Sequence, residues 1–137
     1  MRILVTGPSG VGKTTLARQL PAGRVVHLDS LSRGGTQEPP EETAQSPGMV
    51  IYEGIPVGAD DLVRAFLDQI DTVLLLEGGA LRRLLRCWCR DGLWSTPRWL
   101  WNEWFWWRVC RPLVARHRQV LRLRWDKQAG WKRGRPA

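Results

Sequence analysis

Residues 7–14 read Gly7-Pro8-Ser9-Gly10-Val11-Gly12-Lys13-Thr14, which is a complete G-x-x-x-x-G-K-[ST] phosphate-binding loop. Its glycines allow successive backbone N–H groups to point at a polyphosphate, and the following helix adds its positive N-terminal end. Residues 2–6 read as a buried strand that enters the loop, and residues 14–20 read as a helix that leaves it. Because strand, loop and helix come in the required order, the motif predicts the start of an α/β fold.

The loop also predicts which residues hold a nucleotide and its metal ion. Lys13 can reach the β- and γ-phosphates, and the Thr14 hydroxyl can ligate Mg²⁺. We therefore expect the nucleotide-binding residues to run without a break through Gly7, Pro8, Ser9, Gly10, Val11, Gly12, Lys13, Thr14 and Thr15.

Charge and tryptophan content divide the 137 residues unevenly. Residues 1–77 hold six Lys/Arg and ten Asp/Glu, whereas residues 78–137 hold fifteen Lys/Arg and three Asp/Glu. The second part also contains all nine tryptophans, which suits an anionic or aromatic partner. We predict one domain with a nucleotide-binding core (1–77), basic Trp-rich lid helices (78–118), a last strand (119–125) and a loose basic tail (126–137).

Three features of the sequence suggest a cytoplasmic protein. We expect no signal peptide, because the first predicted strand begins at residue 2. No apolar run approaches the roughly 20 residues that span a bilayer. Cys87, Cys89 and Cys110 are an odd number without C-x-x-C spacing, so we expect reduced thiols. A metal site that combines them with His117 would fit no usual zinc spacing.

Alternating strands and helices follow the loop. Four further buried strands are predicted, at residues 24–28, 49–52, 72–76 and 120–124. Helices are predicted at residues 60–70, at 80–90 and from 98 onward, and residues 33–48 read as a polar loop. This alternation predicts an α/β fold with a three-layer parallel sheet of about five strands, whose ligands bind beyond the carboxyl ends of the strands.

Carboxylates follow three of those strand ends, at Asp29, Glu53 and Glu77. Asp29 is the candidate for the acceptor side, where it would accept the proton of an attacking hydroxyl or hold a magnesium-bound water. It could instead cap residues 30–32. Glu53 has the position of a Walker B carboxylate, and direct metal contact, contact through water and acceptor binding are all open. Arg33 could clamp an acceptor phosphate.

The predicted helix 80–90 has two distinct faces. One face is apolar and is expected to pack on the core through Leu81, Leu84, Leu85 and Trp88. The other carries Arg82, Arg86 and Arg90, which could close over the phosphates and stabilise the charge of the transferring group. The alternative interpretation of these arginines is a solvated helix face.

The tryptophan cluster around residues 99–107 has three interpretations. The indoles could bury the lid helices in the core, or stack on bases while Arg98, Arg108 and Arg111 meet phosphates. They could also lie on a membrane surface or a partner protein. The five tryptophans of this segment cannot all face one core, so some must meet a ligand, a partner or water.

Taken together, these residues resemble the small P-loop kinases related to adenylate kinase. The resemblance rests on the loop, on Asp29, on the pair Glu53-Gly54, and on residues 71–76 with the Arg-rich helix after them. Residues 99–124 are particularly similar to the subgroup of DNA topology modulation proteins. The resemblance implies the strand order 2-3-1-4-5, ATP with Mg²⁺, and a lid role for Arg82, Arg86 or Arg90.

The expected activity is therefore transfer of the γ-phosphate of ATP to a nucleotide-like or other hydroxyl or phosphate acceptor. The segment between the second and third strands is a short Pro/Gly loop and not the helical module of nucleoside monophosphate kinases. A first alternative is a DNA kinase for a 5′ end or a hydroxymethylated base, since Asp29 and Arg33 have a spacing similar to that in polynucleotide 5′-kinases. A second is a nucleotide-binding regulatory module that docks a partner through its Trp-rich helix.

Overall fold

A single sheet organises the molecule. The computed structural model describes residues 1–20, 24–28, 48–56, 60–126, 128 and 130–134. Within these residues six strands form the sheet: β1 (Arg2–Thr6), β2 (Arg24–His27), β3 (Val50–Glu53), β4 (Thr72–Glu77), β5 (Val120–Asp126) and β6 (Gly130–Arg133). Their order is β2-β3-β1-β4-β5-β6. The first five strands are parallel and take the order 2-3-1-4-5, which confirms the predicted fold class.

Strand β6 corrects the prediction of a loose tail after residue 126. It runs antiparallel to β5, with Asp126 opposite Gly130 and Trp125 opposite Trp131. The two indoles meet edge to face with their ring centroids 5.4 Å apart. Gly130 has a φ of 72°, which lets the chain turn back at little steric cost. The prediction of a loose tail rested on its basic, polar composition, which did not indicate this aromatic cross-strand pair.

The helices alternate with the strands. Five α-helices are described: α1 (Lys13–Gln19), α2 (Asp60–Asp68), α3 (Ala80–Asp91), α4 (Thr96–Phe105) and α5 (Arg111–Ala115). A 3₁₀ turn at Leu93–Ser95 precedes α4, and a π-helical turn at Trp106–Cys110 joins α4 to α5. The predicted interruption near Pro112 takes this form, because proline is tolerated only in the first turn of a helix.

The core lies on both faces of the sheet, as a three-layer fold requires. Leu4 of β1 packs on one face with Trp106 and residues of α2. Its neighbours Ile3 and Val5 pack on the other face with Leu16 and other residues of α1. Successive side chains of a strand point to opposite faces, so a strand that is buried on both sides reads as a continuous apolar run.

Helix α3 packs through a face that the sequence did not predict. Leu81 and Leu85, expected in the core, are 70% and 48% exposed. The buried side chains of α3 are Arg83 and Cys87. The predicted core face was therefore wrong for Leu81 and Leu85, whereas Leu84 and Trp88 are partly buried. Hydrophobicity alone could not show that the Arg83 charge would be paired by Glu103.

The tryptophans of residues 99–107 separate into two sets. Trp99 and Trp106 are buried, and Trp106 is part of the core beneath the sheet. Trp101, Trp104 and Trp107 are exposed. This confirms that the segment could not bury all of its indoles in one core. None of the described helices is both long enough and apolar enough to span a bilayer.

Candidate nucleotide-binding site

The phosphate loop joins the end of β1 to the start of α1. Gly10 and Gly12 have φ values of 78° and 100°, in the left-handed region that glycine occupies without strain. A β-carbon on Gly10 would also lie only 2.7 Å from the carbonyl oxygen of Arg83. Both glycines are therefore required by the shape of the loop, and Gly10 by close packing against α3 as well.

The Lys13 side chain lies over the loop to which it belongs. Its Nζ donates hydrogen bonds to the carbonyl oxygens of Gly7 (3.0 Å) and Pro8 (3.1 Å). The ammonium group is half-buried at the open side of the loop. The loop carbonyl oxygens therefore hold the Lys13 ammonium group where a bound polyphosphate would contact it.

Glu53 ends β3 beside the loop. Parallel pairing sets Val5 of β1 next to Glu53, which is 5% exposed. Its Oε1 accepts a hydrogen bond of 3.1 Å from the Thr14 hydroxyl. Its Oε2 lies 2.5 Å from Nδ1 of His27, the residue opposite it in the register of β2. The sequence prediction brought Thr14 and Glu53 together correctly, whereas His27 was missed although its strand-end position was visible.

The donor set at this point suits Mg²⁺. A hydroxyl and a carboxylate are the oxygen ligands that Mg²⁺ takes from a protein, and its other ligands are commonly phosphates and water. No group of three or more His, Cys, Asp or Glu side chains suited to a metal occurs among the described residues. Thr14 and Glu53 therefore fit an ion that is held largely by the nucleotide.

A cavity of about 430 Å³ opens beside the loop. The loop lines one side with Ser9, Gly10, Val11, Gly12, Lys13, Thr14 and Thr15, and Glu53 joins them. Arg86, Cys87, Arg90, Trp125 and Trp131 line the rest. The structure thus combines loop, carboxylate and two lid arginines in one concave site.

The three predicted lid arginines have different positions. Arg86 donates a 3.3 Å hydrogen bond to the carbonyl oxygen of Gly10. Arg90 lines the cavity while its Nε donates to Asp91. Arg82 is exposed and is not among the lining residues, which corrects its predicted place over the phosphates. Arg82 lies away from the cavity because α3 turns the side that carries Arg83 and Cys87 toward the loop.

The remaining predicted carboxylates and Arg33 do not contribute described contacts to the cavity. Asp29 and Arg33 lie outside the described residues. Glu77 ends β4 but pairs with Arg122 of β5 at 3.9 Å.

Arg83 is the principal residue that the sequence prediction missed. It is 2% exposed, and its two Nη atoms bind both carboxylate oxygens of Glu103 on α4 at 2.5 Å. Its Nε donates to the carbonyl oxygen of Gly78, and Nη1 lies 3.4 Å from that of Ser9 in the loop. One side chain thereby connects α3, α4 and the phosphate loop. The spacing of Arg83, Arg86, Cys87 and Arg90, which defines one helical face, was the available signal.

The carboxyl group of Glu103 has a lowered pKa. Burial alone would raise the pKa of Glu103, but hydrogen bonds from Arg83 and Trp107 and the charge of Arg83 outweigh it. The pKa therefore lies below its ordinary value of 4.5. A carboxyl whose pKa is depressed by folding stabilises the native state above its unfolded pKa, and loses that contribution as the pH falls through the folded pKa.

We expect acid to remove the contribution of Glu103 to stability. Glu103→Gln lacks the titrating carboxyl, so the difference in free energy of unfolding between the wild type and this variant should shrink below about pH 4.5. Urea unfolding across a pH series measures that difference. A gap that stays constant from neutral to strongly acidic pH would contradict the assignment of the carboxylate–Arg83 contact as a charged pair.

Trp131 was also missed, since it lies in the tail that was expected to be loose. Its ring covers Gly12, where a β-carbon would lie 3.4 Å from indole Cζ2. The Trp131 Nε1 atom is buried and has no hydrogen-bond partner among the described parts of the chain. Together with Trp125 it gives the cavity an aromatic wall next to the phosphate loop.

The cysteines and His117 do not gather into a site. All three thiols are free, and burial raises the pKa of Cys110 to about 12, so that it stays protonated. The His117 ring lies at the end of α2, with Nε2 2.9 Å from the carbonyl oxygen of Ile70. Cys87 is buried like Cys110, whereas Cys89 is exposed.

The strand order, the loop after β1 and the basic helices after β4 together define the fold of the small P-loop kinases. Two solved structures share it. Shikimate kinase from Bacteroides thetaiotaomicron is 19% identical with a TM-score of 0.56, covering 89% of this chain and 85% of its own. Shikimate kinase from Acinetobacter baumannii, solved with shikimate, is 18% identical with a TM-score of 0.57, covering 94% and 84%.

At these identities the likeness shows the fold and does not extend to the substrate. No protein-family model and no curated protein matches the sequence. The predicted resemblance to small P-loop kinases is thus confirmed at the level of the fold, and the finer resemblance to DNA topology modulation proteins stays a prediction.

Proposed function

We propose that this protein is an ATP-dependent phosphotransferase that moves the γ-phosphate of ATP to a hydroxyl or phosphate group of a small acceptor. The observation that carries the proposal is the contact between Thr14 and Glu53 beside Lys13, within one cavity. Phosphoryl transfer requires held phosphates, a metal ion and cations for the developing charge. The loop, the Thr14–Glu53 pair and the arginines of α3 supply a candidate for each.

Each residue of the donor side has a role that follows from its position. The N–H groups of the loop and the start of α1 bind the phosphates, and Lys13 pairs with the β- and γ-phosphates. Thr14 and Glu53 are the residues that would hold Mg²⁺, which neutralises phosphate charge when bound. Arg86 and Arg90 lie on the facing wall, where they would meet the charge of the transferring group.

The aromatic wall suggests where the nucleobase lies. Trp125 and Trp131 border the same cavity as the loop, so a nucleotide whose phosphates occupy the loop can turn its base toward them. Base–indole contact favours any base by stacking. We therefore assign the base of ATP to this wall.

Replacing Trp131 by Ala should weaken ATP binding by about 1–3 kcal/mol, the usual effect of losing one stacked base. Affinity for inorganic tripolyphosphate, which has no base, should change little. Calorimetric titration with a non-hydrolysable ATP analogue and with tripolyphosphate measures both. Trp94→Ala is the matched control, because Trp94 is 96% exposed and lies outside the cavity. Equal losses for both ligands would contradict the assignment of the base.

The acceptor is the least constrained part of the proposal. Asp29 is proposed to orient or deprotonate the acceptor, Arg33 to bind an acceptor phosphate, and Glu53 to act on either side. The named structures of the same fold are shikimate kinases, one of them holding shikimate, so shikimate is the first acceptor to test. Nucleosides, nucleoside monophosphates, sugars and DNA complete the panel.

The deciding experiment follows label from γ-labelled ATP onto this panel in the presence of Mg²⁺. We expect one class of small acceptor to be labelled. Label on a DNA 5′ end or a hydroxymethylated base, with binding that falls steeply with salt, would favour the DNA kinase and the similarity to DNA topology modulation proteins. ATP binding without label on any acceptor would favour the regulatory module and would overturn the proposed activity.

A further inference from the structure

Helix α4 and the turns on either side of it expose aromatic side chains to solvent. Leu100, Trp101, Trp104 and Trp107 are each about half exposed or more, and they recur at spacings of three and four residues. Leu93 and Trp94, immediately before α4, are 67% and 96% exposed. We call these six residues the tryptophan face. An exposed apolar surface of this extent marks an interaction site.

The tryptophan face has basic neighbours. Arg98, Arg108 and Arg111 lie in or beside it, whereas Arg83, Arg86 and Arg90 of α3 belong to the ion pair and the cavity described above. Residues 78–118 contain only two acidic residues. The acids are already paired: Asp91 contacts Arg90 and Arg98, and Glu103 accepts from Arg83 and Trp107. Arg98 and Arg108 belong to the exposed side of α4 and its π-helical turn. These basic side chains favour an anionic partner on this surface.

We propose that the tryptophan face docks on an anionic lipid bilayer, with α4 lying along its surface. Indole and leucine side chains then enter the interface between headgroups and acyl chains, and the arginines meet the lipid phosphates. Aromatic residues and arginines are both favoured at that depth of a membrane. In this arrangement α4 lies in the plane of the interface and its apolar side enters only the outer part of the bilayer.

The geometry of the indoles favours lipid over nucleic acid. Trp101 and Trp104 stack on each other, with centroids 5.2 Å apart and planes 28° from parallel. The Arg111 guanidinium covers the Trp107 ring at 4.8 Å. One face of each of these three rings is thus already occupied, and Leu93 and Leu100 gain nothing from stacking. The same arginines would repel a second copy of the chain placed face to face.

Co-sedimentation of the full chain with vesicles tests the proposal. We expect binding to phosphatidylcholine vesicles that contain phosphatidylglycerol to exceed binding to pure phosphatidylcholine by at least about tenfold. Added salt should weaken it, because the attraction of basic residues to anionic lipid is screened. The double variant Trp101→Ser/Trp104→Ser should lose roughly tenfold or more of the affinity for the anionic vesicles.

Two controls keep the result interpretable. Leu62→Ser removes an exposed apolar side chain from α2, outside the tryptophan face, and should leave vesicle binding unchanged. ATP binding should be unchanged in the double variant, because neither tryptophan lines the cavity. Failure of the membrane proposal can therefore be distinguished from failure of the proposed phosphotransferase activity.

Four outcomes would overturn the proposal. The first is equal binding to neutral and anionic vesicles, and the second is undiminished binding by Trp101→Ser/Trp104→Ser. The third is binding of a single-stranded oligonucleotide that the double variant loses while vesicles stay unbound, which would assign the tryptophan face to nucleic acid. Absence of any vesicle binding also counts against the proposal.

Discussion

Lys13→Ala should reduce phosphoryl transfer by at least about 100- to 1,000-fold, the usual effect of removing one charge-stabilising donor from a reaction centre. The ammonium group of Lys13 lies over the phosphate loop, bonded to the carbonyl oxygens of Gly7 and Pro8. It is thus positioned to meet charge that grows on the transferring phosphate. The rate of label transfer from γ-labelled ATP onto the best acceptor measures the loss.

Lys132→Ala is the matched control for this prediction. Lys132 is half-exposed on β6, paired with Asp126 at 3.4 Å, and is not a lining residue of the cavity. Its loss should leave transfer nearly unchanged. The midpoint of thermal unfolding should be similar for both variants and the wild type, since Lys13 is not in the core. Undiminished transfer by Lys13→Ala would refute the assignment of the loop as the donor site.

Arg83→Met should lower the free energy of unfolding by about 3–5 kcal/mol, because it leaves the carboxylate of Glu103 half-buried without its partner. The variant also removes the contacts of Arg83 with Gly78 and Ser9. We therefore expect weaker ATP binding through a loosened loop, in addition to lower stability. Urea unfolding and calorimetric titration at neutral pH measure the two effects.

The double variant Arg83→Met/Glu103→Leu separates the charge from the packing. Replacing both partners of a buried ion pair by apolar residues is often neutral, so much of the lost stability should return. ATP binding should stay impaired, because the link from α3 to Ser9 is still missing. Arg82→Met, on the exposed side of α3, should change stability by less than about 0.5 kcal/mol. Equal stability of Arg83→Met and Arg82→Met would contradict the structural role of Arg83.

The donor side was predictable because its signals are local. A phosphate loop is a contiguous motif, and its flanking strand and helix follow from the order of apolar residues on either side. The partnership of Thr14 with Glu53 also followed from the sequence, since the ends of parallel strands meet at one sheet edge. The structure places their side chains 3.1 Å apart.

The lid was predicted less well because its signals are not local. The apolar stripe of Leu81 and Leu85 indicated a buried face. A helix, however, buries the side whose residues are packed or paired by neighbouring elements. Arg83 finds Glu103, twenty residues along the chain, and satisfies its charge there. The sequence prediction also missed the hairpin that pairs Trp125 with Trp131. This cross-strand pair depends on a turn within a basic and polar segment, which composition alone does not indicate.

The sequence by itself determined the phosphate loop, the parallel α/β class of the fold and the loop residues 9–15 that line the cavity. These depend on backbone geometry and on hydrophobic periodicity, which neighbouring residues encode. The strand order, by contrast, was implied by the resemblance to small P-loop kinases. Only the tertiary structure decided that Arg83 would be buried, that Trp131 would cover Gly12 and that the indoles of α4 would face outward. Such positions depend on contacts between residues that are distant in the sequence. A buried charge or ring is stable only if a residue of another element pairs with it or packs against it.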